Sequence, residues 1–189
     1  MQFILKHNPY VVLDRDGTLI DLIDHLSNLN QVSIKGDAVK SLNNLLDSGF
    51  KLGIISNQSV IGRGLATSDQ VEKINMYISN YFSKFKINFE FFLICPHTPK
   101  NKCDCRKPKE GLGLAAMRKY GFSSGECYYI GDKCSDMEFA HNLGWKGVQI
   151  ISDSIPSELA HFHTSSLFEA SKWVVSNYEV IYPGGNHNK

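Results

Sequence analysis

Two aspartates separated by one residue lie near the start of the chain, in the segment Asp14-Arg15-Asp16-Gly17-Thr18. On an extended backbone this spacing predicts both carboxylates on one side and Arg15 on the other. Carboxylates this close repel each other unless a cation or a proton lies between them. The pair therefore predicts a metal or acid–base site, although Asp-Gly is also common in turns, where the aspartates would only cap the chain.

Three further polar segments each follow an apolar run of strand length. They are Ser56-Asn57-Gln58-Ser59, Cys95-Pro96-His97 and Gly131-Asp132-Lys133-Cys134-Ser135-Asp136. Because parallel strands present their carboxyl ends at one edge of a sheet, we expect these groups to converge with Asp14 and Asp16. Asp132 and Asp136 would then complete an oxygen-rich pocket that suits Mg²⁺.

Four soft metal ligands lie within eleven residues, namely Cys95, His97, Cys103 and Cys105. Three thiolates and one imidazole fill a tetrahedral shell, so the pattern predicts a structural Zn²⁺ that orders its own loop. A catalytic zinc is disfavoured, because it would need an open position for water. The alternative is a set of free cysteines beside a surface histidine.

The composition is that of an ordinary globular domain. The 189 residues include 20 Lys and Arg against 19 Asp and Glu, with 42% hydrophobic and 21% charged residues, which excludes a strongly basic nucleic-acid binder and a disordered chain. No apolar run reaches membrane-spanning length, and the start does not resemble a signal peptide. We expect one cytoplasmic, monomeric domain over residues 1–189, with a small-molecule substrate and neither a nucleic-acid nor a membrane partner.

The elements that must position these groups alternate along the chain. Apolar runs predict five buried strands, and helical periodicity predicts the segments between them. The strands are at 10–14, 51–56, 89–95, 127–131 and 147–151, and the helices at 37–48, 68–84, 111–119, 135–142 and 165–177. This order predicts an α/β fold with a doubly wound, Rossmann-like parallel sheet. The segment from Leu19 to Gly36 breaks the alternation, and its length is typical of a lid at the sheet edge.

The ordered motifs resemble those of the haloacid dehalogenase superfamily of phosphatases. The resemblance covers about residues 10 to 150 and rests on Asp14-x-Asp16-Gly17-Thr18, Ser56, Lys107 and Gly131-Asp132-x-x-x-Asp136. Within the superfamily, residues 57–64, the loop 95–108 and residues 131–133 are similar to the D-glycero-D-manno-heptose 1,7-bisphosphate 7-phosphatases, whose nearest relatives are the histidinol-phosphate phosphatases. The resemblance implies a haloacid dehalogenase-type fold with a minimal cap and a zinc-binding loop.

The resemblance also implies the roles of the carboxylates. Asp14 would be the nucleophile, and Asp16 would be the general acid and base. Mg²⁺ would be held by Asp14, by the carbonyl oxygen of Asp16 and by Asp132, with Asp136 in support.

Further residues are implied to bind the substrate. The Ser56 hydroxyl, the Asn57 backbone amide and the Lys107 ammonium would bind the transferring phosphoryl group, although a solvated surface lysine is the alternative for Lys107. Arg63 is a weaker candidate, equally consistent with a surface salt bridge. The candidate contacts to the rest of the substrate are Asp24, His25, Gln58, Ser59, Arg63, Arg106 and Lys133.

Three functional hypotheses follow. The first is a Mg²⁺-dependent phosphomonoester hydrolase that forms an aspartyl phosphate and removes the 7-phosphate of D-glycero-D-manno-heptose 1,7-bisphosphate. The second is a histidinol-phosphate phosphatase, which the short spacer between His97 and Cys103 favours, whereas Lys133 favours the heptose substrate. The third is a non-enzymatic phosphoacceptor of the receiver type, which has no use for an acid–base at Asp16 or for a zinc loop.

Overall fold

A parallel six-stranded sheet forms the centre of the computed structural model, which describes residues 9–152 and 154–181. The strands are β1 (Tyr10–Leu13), β2 (Lys51–Asn57), β3 (Phe91–Cys95), β4 (Cys127–Gly131), β5 (Lys146–Ile150) and β6 (Phe162–Thr164). They lie in the order β3-β2-β1-β4-β5-β6, and neighbouring strands are parallel. The strand order reverses between β1 and β4, at the switch point where such sheets bind ligands.

Helices connect the strands and cover both faces of the sheet. They are α1 (Ala38–Asp47), α2 (Ser59–Gly62), α3 (Ser68–Ser83), α4 (Gly111–Tyr120), α5 (Cys134–Asn142) and α6 (Leu167–Ile181). Short 3₁₀ turns lie at Leu29–Gln31, Pro99–Asn101 and Ser124–Glu126. Among the helices of the described ranges, none combines the length and the apolar character needed to cross a membrane.

Two hydrophobic cores lie on opposite faces of the sheet, as the alternation of side chains along a strand requires. From β1, Val11 and Leu13 pack into the core that α1, α3 and α6 cover. Tyr10 and Val12 pack into the other core, which α4 and α5 cover. The doubly wound parallel sheet predicted from the sequence is therefore confirmed.

One strand and one α-helix were not predicted from the sequence. Five strands were predicted and the sheet has six; the strand that was missed is β6. It has only three residues, with exposed His163 between two half-buried neighbours. Such a strand contains no apolar run. The helix α2 was not predicted either, because its four residues are too few to show a helical period.

The segment from Leu19 to Gly36 is attached to the rest of the fold at its base. Leu19, Ile20 and Leu26 are buried in the core on the α1 side of the sheet. Ile20 also forms isolated bridges with Asp16 and Ile34. These contacts hold the two ends of the segment beside the carboxyl end of β1, and its action as a lid stays a prediction.

Candidate active site

Three buried carboxylates meet where β1 and β4 end. Asp14 directly follows β1, Asp132 directly follows β4, and Asp136 lies in the first turn of α5. One oxygen of each carboxylate lies within 4.8 Å of the others. Gly17 permits this approach, because its φ of 84° favours glycine and a Cβ at this position would come within 2.4 Å of Asp132 Oδ2.

The electrostatics of the three carboxylates favour a bound cation. Burial, together with the charge of Asp14, raises the pKa of the Asp132 carboxyl to about 7. Asp132 Oδ1 is buried and has no hydrogen-bond partner among the described residues. An unpaired buried carboxylate oxygen is costly, and an all-oxygen donor set is the kind that Mg²⁺ prefers. The residues present therefore fit a magnesium ion.

Lys107 is buried beside these carboxylates, so the alternative of a solvated surface lysine is wrong. Its Nζ lies 2.7 Å from Asp136 Oδ1 and 3.1 Å from Asp14 Oδ1, and it donates to the Tyr129 hydroxyl. Burial lowers the pKa of this ammonium, but Asp136 and Asp14 outweigh the burial and raise the pKa above its usual value.

Asp14 is held in its ionised form by the same contacts. Burial alone would raise the pKa of its carboxyl, but the Lys107 and Lys133 cations and hydrogen bonds together lower it below the usual value. An ionised carboxylate is the form that an attack on phosphorus requires. Asp136 differs, because burial outweighs the influence of Lys107 and the pKa of this carboxyl is raised.

The side chain of Asn57, at the end of β2, holds the backbone of the loop that carries Lys107, between β3 and α4 (the lysine loop). Asn57 Nδ2 donates to the Lys107 carbonyl oxygen at 3.1 Å, and the Lys107 amide donates to Asn57 Oδ1, also at 3.1 Å. The sequence predicted a role only for the backbone amide of Asn57. The paired hydrogen bonds show that the side chain also fixes Lys107 relative to the sheet.

Asp16 is bound by Arg15, which corrects the prediction that Arg15 points to the other side. Arg15 is fully buried, and its guanidinium donates to Asp16, to Gln58 Oε1 at 2.8 Å and to Asn75 Oδ1 at 2.8 Å. The predicted alternation requires an extended backbone, but β1 ends at Leu13 and the chain bends at Arg15. The guanidinium can therefore turn back onto the neighbouring carboxylate.

Gln58 completes this buried network. Its Nε2 donates to Asp16 Oδ2 at 2.6 Å and to Ser56 Oγ at 3.0 Å, while its Oε1 accepts from Arg15. The side chain predicted to bind substrate is thus engaged with the protein and orients Asp16. Ser56 itself is buried at the end of β2, and Ser59 is half-buried at the start of α2.

The remaining predicted substrate contacts are less buried than the carboxylates. Asp24, His25, Arg63 and Lys133 are exposed, and within the described residues no hydrogen bond or ion pair joins their side chains to the buried carboxylates. Arg106 is half-buried, and its guanidinium donates to the His97 carbonyl oxygen at 3.1 Å. Of these residues, Lys133 is near enough for its charge to lower the pKa of the Asp14 carboxyl, and the roles of all of them in substrate binding stay predictions.

The four predicted zinc ligands are brought together at the end of β3. Cys95 Sγ lies 3.6 Å from Cys103 Sγ and 3.3 Å from Cys105 Sγ, and His97 Nδ1 lies 3.2 Å from Cys105 Sγ. In a tetrahedral site with ordinary Zn–S and Zn–N bonds, ligand atoms are about 3.5–3.8 Å apart. Burial raises the pKa of the Cys95 thiol to about 12, so zinc binding there would release a proton. The cluster fits a structural zinc ion.

Replacing Cys103 with serine is expected to lower the zinc content of the purified protein from about one equivalent and to lower its melting temperature, because a hydroxyl is a poor zinc ligand. Metal analysis and thermal unfolding measure both. Cys134→Ser is the matched control, since Cys134 is exposed and lies outside the cluster. If Cys103→Ser kept full zinc and the melting temperature of the control, the four residues would not form a zinc site.

Sequence reasoning missed two polar residues of the site. Asn75, in α3, reaches Arg15 from 60 positions away along the chain. Tyr129, in β4, reaches Lys107 with its hydroxyl. The amphipathic pattern could have identified Asn75 as a polar residue on a buried face of α3, but Tyr129 gave no signal, because a tyrosine in a buried strand is typical of a core.

Comparisons with known proteins point to one family. A family model described as "HAD-hyrolase-like" matches residues 104–167. A probable D-glycero-D-manno-heptose-1,7-bisphosphate 7-phosphatase of Thermoplasma volcanium is 33% identical over 132 residues, which cover 69% of this chain and 90% of that protein. The histidine biosynthesis bifunctional protein HisB of Blochmanniella floridana is 34% identical over 146 residues, or 76% of this chain, but this chain spans only 41% of that protein.

Solved structures share the fold. The crystal structure of D,D-heptose 1,7-bisphosphate phosphatase from B. bronchiseptica, complexed with magnesium and phosphate, matches with a TM-score of 0.80 at 19% identity. The match covers 89% of this chain and 99% of that one. At this identity the similarity is evidence for the fold alone.

Proposed function

The chain belongs to the haloacid dehalogenase-like family of phosphatases, and from that premise we propose that it is a magnesium-dependent phosphomonoester hydrolase that acts through an aspartyl phosphate. One observation carries the proposal: the ionised, buried Asp14 carboxylate lies 3.1 Å from the Lys107 ammonium, beside Asp132 and Asp136. A nucleophile, a fixed cation and a cation-binding carboxylate cluster are the parts that phosphoryl transfer requires.

Magnesium would be held by Asp14, Asp132 and the Asp16 carbonyl oxygen, with Asp136 in support through Lys107. When bound, it would neutralise negative charge on the phosphoryl group and act as a Lewis acid. The buried Asp132 Oδ1, which has no other partner among the described residues, supports this assignment.

The chain's own residues would carry out two transfers. An Asp14 oxygen attacks phosphorus while the bond from phosphorus to the sugar oxygen breaks, and Asp16 gives a proton to that departing oxygen. Asp16 then takes a proton from water, which attacks phosphorus, and the bond to Asp14 breaks to release phosphate and restore the carboxylate. Throughout, the Ser56 hydroxyl, the Asn57 amide and the Lys107 ammonium would donate to the phosphoryl oxygens.

For the substrate, we propose the 7-phosphate of D-glycero-D-manno-heptose 1,7-bisphosphate. The probable heptose bisphosphate phosphatase of Thermoplasma volcanium, of which this chain covers 90%, supports it. In this proposal the cations Arg106, Lys133 and Arg63 form a basic outer part of the site that would bind the second phosphate. The match to a histidine biosynthesis protein makes histidinol phosphate the second candidate. Histidinol phosphate has a cationic amine instead of a second phosphate, so a basic outer site disfavours it.

The two candidates separate in one set of measurements. We expect kcat/KM to be highest for one anomer of the heptose bisphosphate when the α and β anomers and histidinol phosphate are assayed side by side with Mg²⁺. Preference for histidinol phosphate would overturn the heptose assignment and leave the phosphatase chemistry intact. No phosphate release from any phosphomonoester would overturn the enzymatic proposal.

Replacing Arg106 with alanine is expected to lower kcat/KM for the heptose bisphosphate by about 10–100-fold, because charge-assisted hydrogen bonds to the second phosphate are lost. A small aryl phosphate without that group should be affected much less. Lys109→Ala is the matched control, since Lys109 is an exposed cation of the same loop paired with Asp104. Equal losses on both substrates would instead assign Arg106 to the transferring phosphoryl group or, if zinc content also fell, to the loop itself.

A further inference from the structure

We propose that Tyr129 is a positioning residue for Lys107. The Tyr129 hydroxyl keeps the Lys107 ammonium in the position where it can donate to a phosphoryl group that enters the site. The proposal rests on the proposed phosphatase function and concerns the same site. None of the sequence motifs includes Tyr129, which lies two positions before the end of β4.

The hydroxyl is one of three acceptors around the Lys107 ammonium. The other two are Asp136 Oδ1 at 2.7 Å and Asp14 Oδ1 at 3.1 Å. A lysine ammonium has three N–H donors, and here it donates a hydrogen bond to Tyr129 and forms ion pairs with Asp136 and Asp14. Of these acceptors, Tyr129 is the only neutral one.

A second hydrogen bond fixes the direction of the hydroxyl. Tyr129 Oη donates to the Ile55 carbonyl oxygen of β2 at 2.7 Å. A phenol has one proton, so the lone pairs are what it offers to Lys107, and the lysine must be the donor. Burial raises the pKa of the phenol well above its usual value, which keeps that proton in place.

The ring is rigidly held, so the position of the hydroxyl is set by the fold. Tyr129 is fully buried and packs edge-on against Phe139 at 5.2 Å between ring centroids, with Trp145 at 6.4 Å. The hydroxyl therefore links β4, β2 and the lysine loop at one point.

This arrangement matters when the phosphoryl group reaches Asp14. The Asp14 oxygen must then face phosphorus, and the Lys107 ammonium exchanges this ion-pair partner for a phosphoryl oxygen. Asp136 and Tyr129 keep their contacts with the ammonium and hold the nitrogen where it is. Without the hydroxyl the ammonium has a single fixed partner and can rotate away, which would cost transition-state stabilisation more than substrate binding.

Tyr129→Phe tests the proposal, because it removes the hydroxyl and keeps the ring. We expect kcat for a phosphomonoester to fall about tenfold or more with little change in KM, as for loss of a hydrogen bond to a charged group. Tyr128→Phe is the matched control: Tyr128 is the next residue of β4, equally buried, but it packs into the opposite core and its hydroxyl donates to Asn177 Oδ1 at 2.9 Å. Equal losses of kcat in the two variants would overturn the proposal.

A double-mutant cycle separates positioning from a merely structural role. We expect Tyr129→Phe to weaken the binding of orthovanadate, which adopts the five-coordinate geometry of the phosphoryl transition state, to the magnesium-loaded protein several-fold, and to have no further effect when Lys107 is replaced with methionine. Calorimetry measures both. Additive losses would show that Tyr129 does not act through Lys107. Because the wild-type protein's turnover tests the proposed function separately, an inactive wild type that still gives a non-additive cycle would overturn the function and support the role of Tyr129.

Discussion

Replacing Asp14 with asparagine is expected to abolish phosphatase turnover while the protein stays folded. The amide is a poor nucleophile towards phosphorus and a weak ligand for Mg²⁺, so both functions proposed for this carboxylate would be lost together. Folding should survive, because the side chain keeps its size and Lys107 keeps Asp136 as a buried counterion at 2.7 Å. Steady-state phosphate release and thermal unfolding test the two expectations.

The control must remove a carboxylate without touching the site. Asp47 is a suitable control residue, because it is exposed at the end of α1. The chain enters β2 there at its amino end, which is the edge of the sheet opposite to the site. Asp47→Asn should keep wild-type turnover. Retention of turnover by Asp14→Asn, after rigorous exclusion of wild-type contamination, would show that another group attacks phosphorus.

The convergence of the site was predictable from the sequence because it depends on topology alone. Asp14, Ser56, Cys95 and Asp132 each lie at or just beyond the end of an apolar run, and a parallel sheet presents all such ends at one edge. The exact lengths of the strands were less important, since errors of one or two residues do not move a strand end to the other edge. The zinc ligands were predictable for a similar reason, because their spacing is local.

The contacts that orient the site were not predictable from local patterns. Arg15 binds Asp16 only because the chain bends after β1, a change that the period-two pattern cannot show. Asn75 and Tyr129 act through single polar atoms at the ends of otherwise buried side chains. Their partners lie far away along the chain, so only the packing of α3 and β4 against the site reveals them.

Asp16→Asn is expected to lower kcat by about 10²–10⁴-fold, the usual contribution of a general acid–base. The rate of the first step should fall by different factors for a sugar phosphate and for an aryl phosphate. A sugar alkoxide needs a proton to depart, whereas an aryl phosphate releases a more stable phenolate. Formation of the aspartyl phosphate should therefore be slowed far more for the sugar substrate than for the aryl one. Hydrolysis of the intermediate still requires the base, so the aryl substrate should give a burst of phenolate followed by a slow steady state.

The same substitution should also lower stability, because Asp16 is the only carboxylate within the described residues that pairs with the buried Arg15 guanidinium, at 3.0 Å. Removing one partner of a buried ion pair leaves an uncompensated charge, at a cost of up to about 3–5 kcal/mol. Asp16 is partly exposed, so we expect a smaller loss, measured as a lower melting temperature. A wild-type-like rate with the sugar phosphate in Asp16→Asn would remove Asp16 from the proposed mechanism, because neither the acid nor the base step could then depend on its carboxyl group.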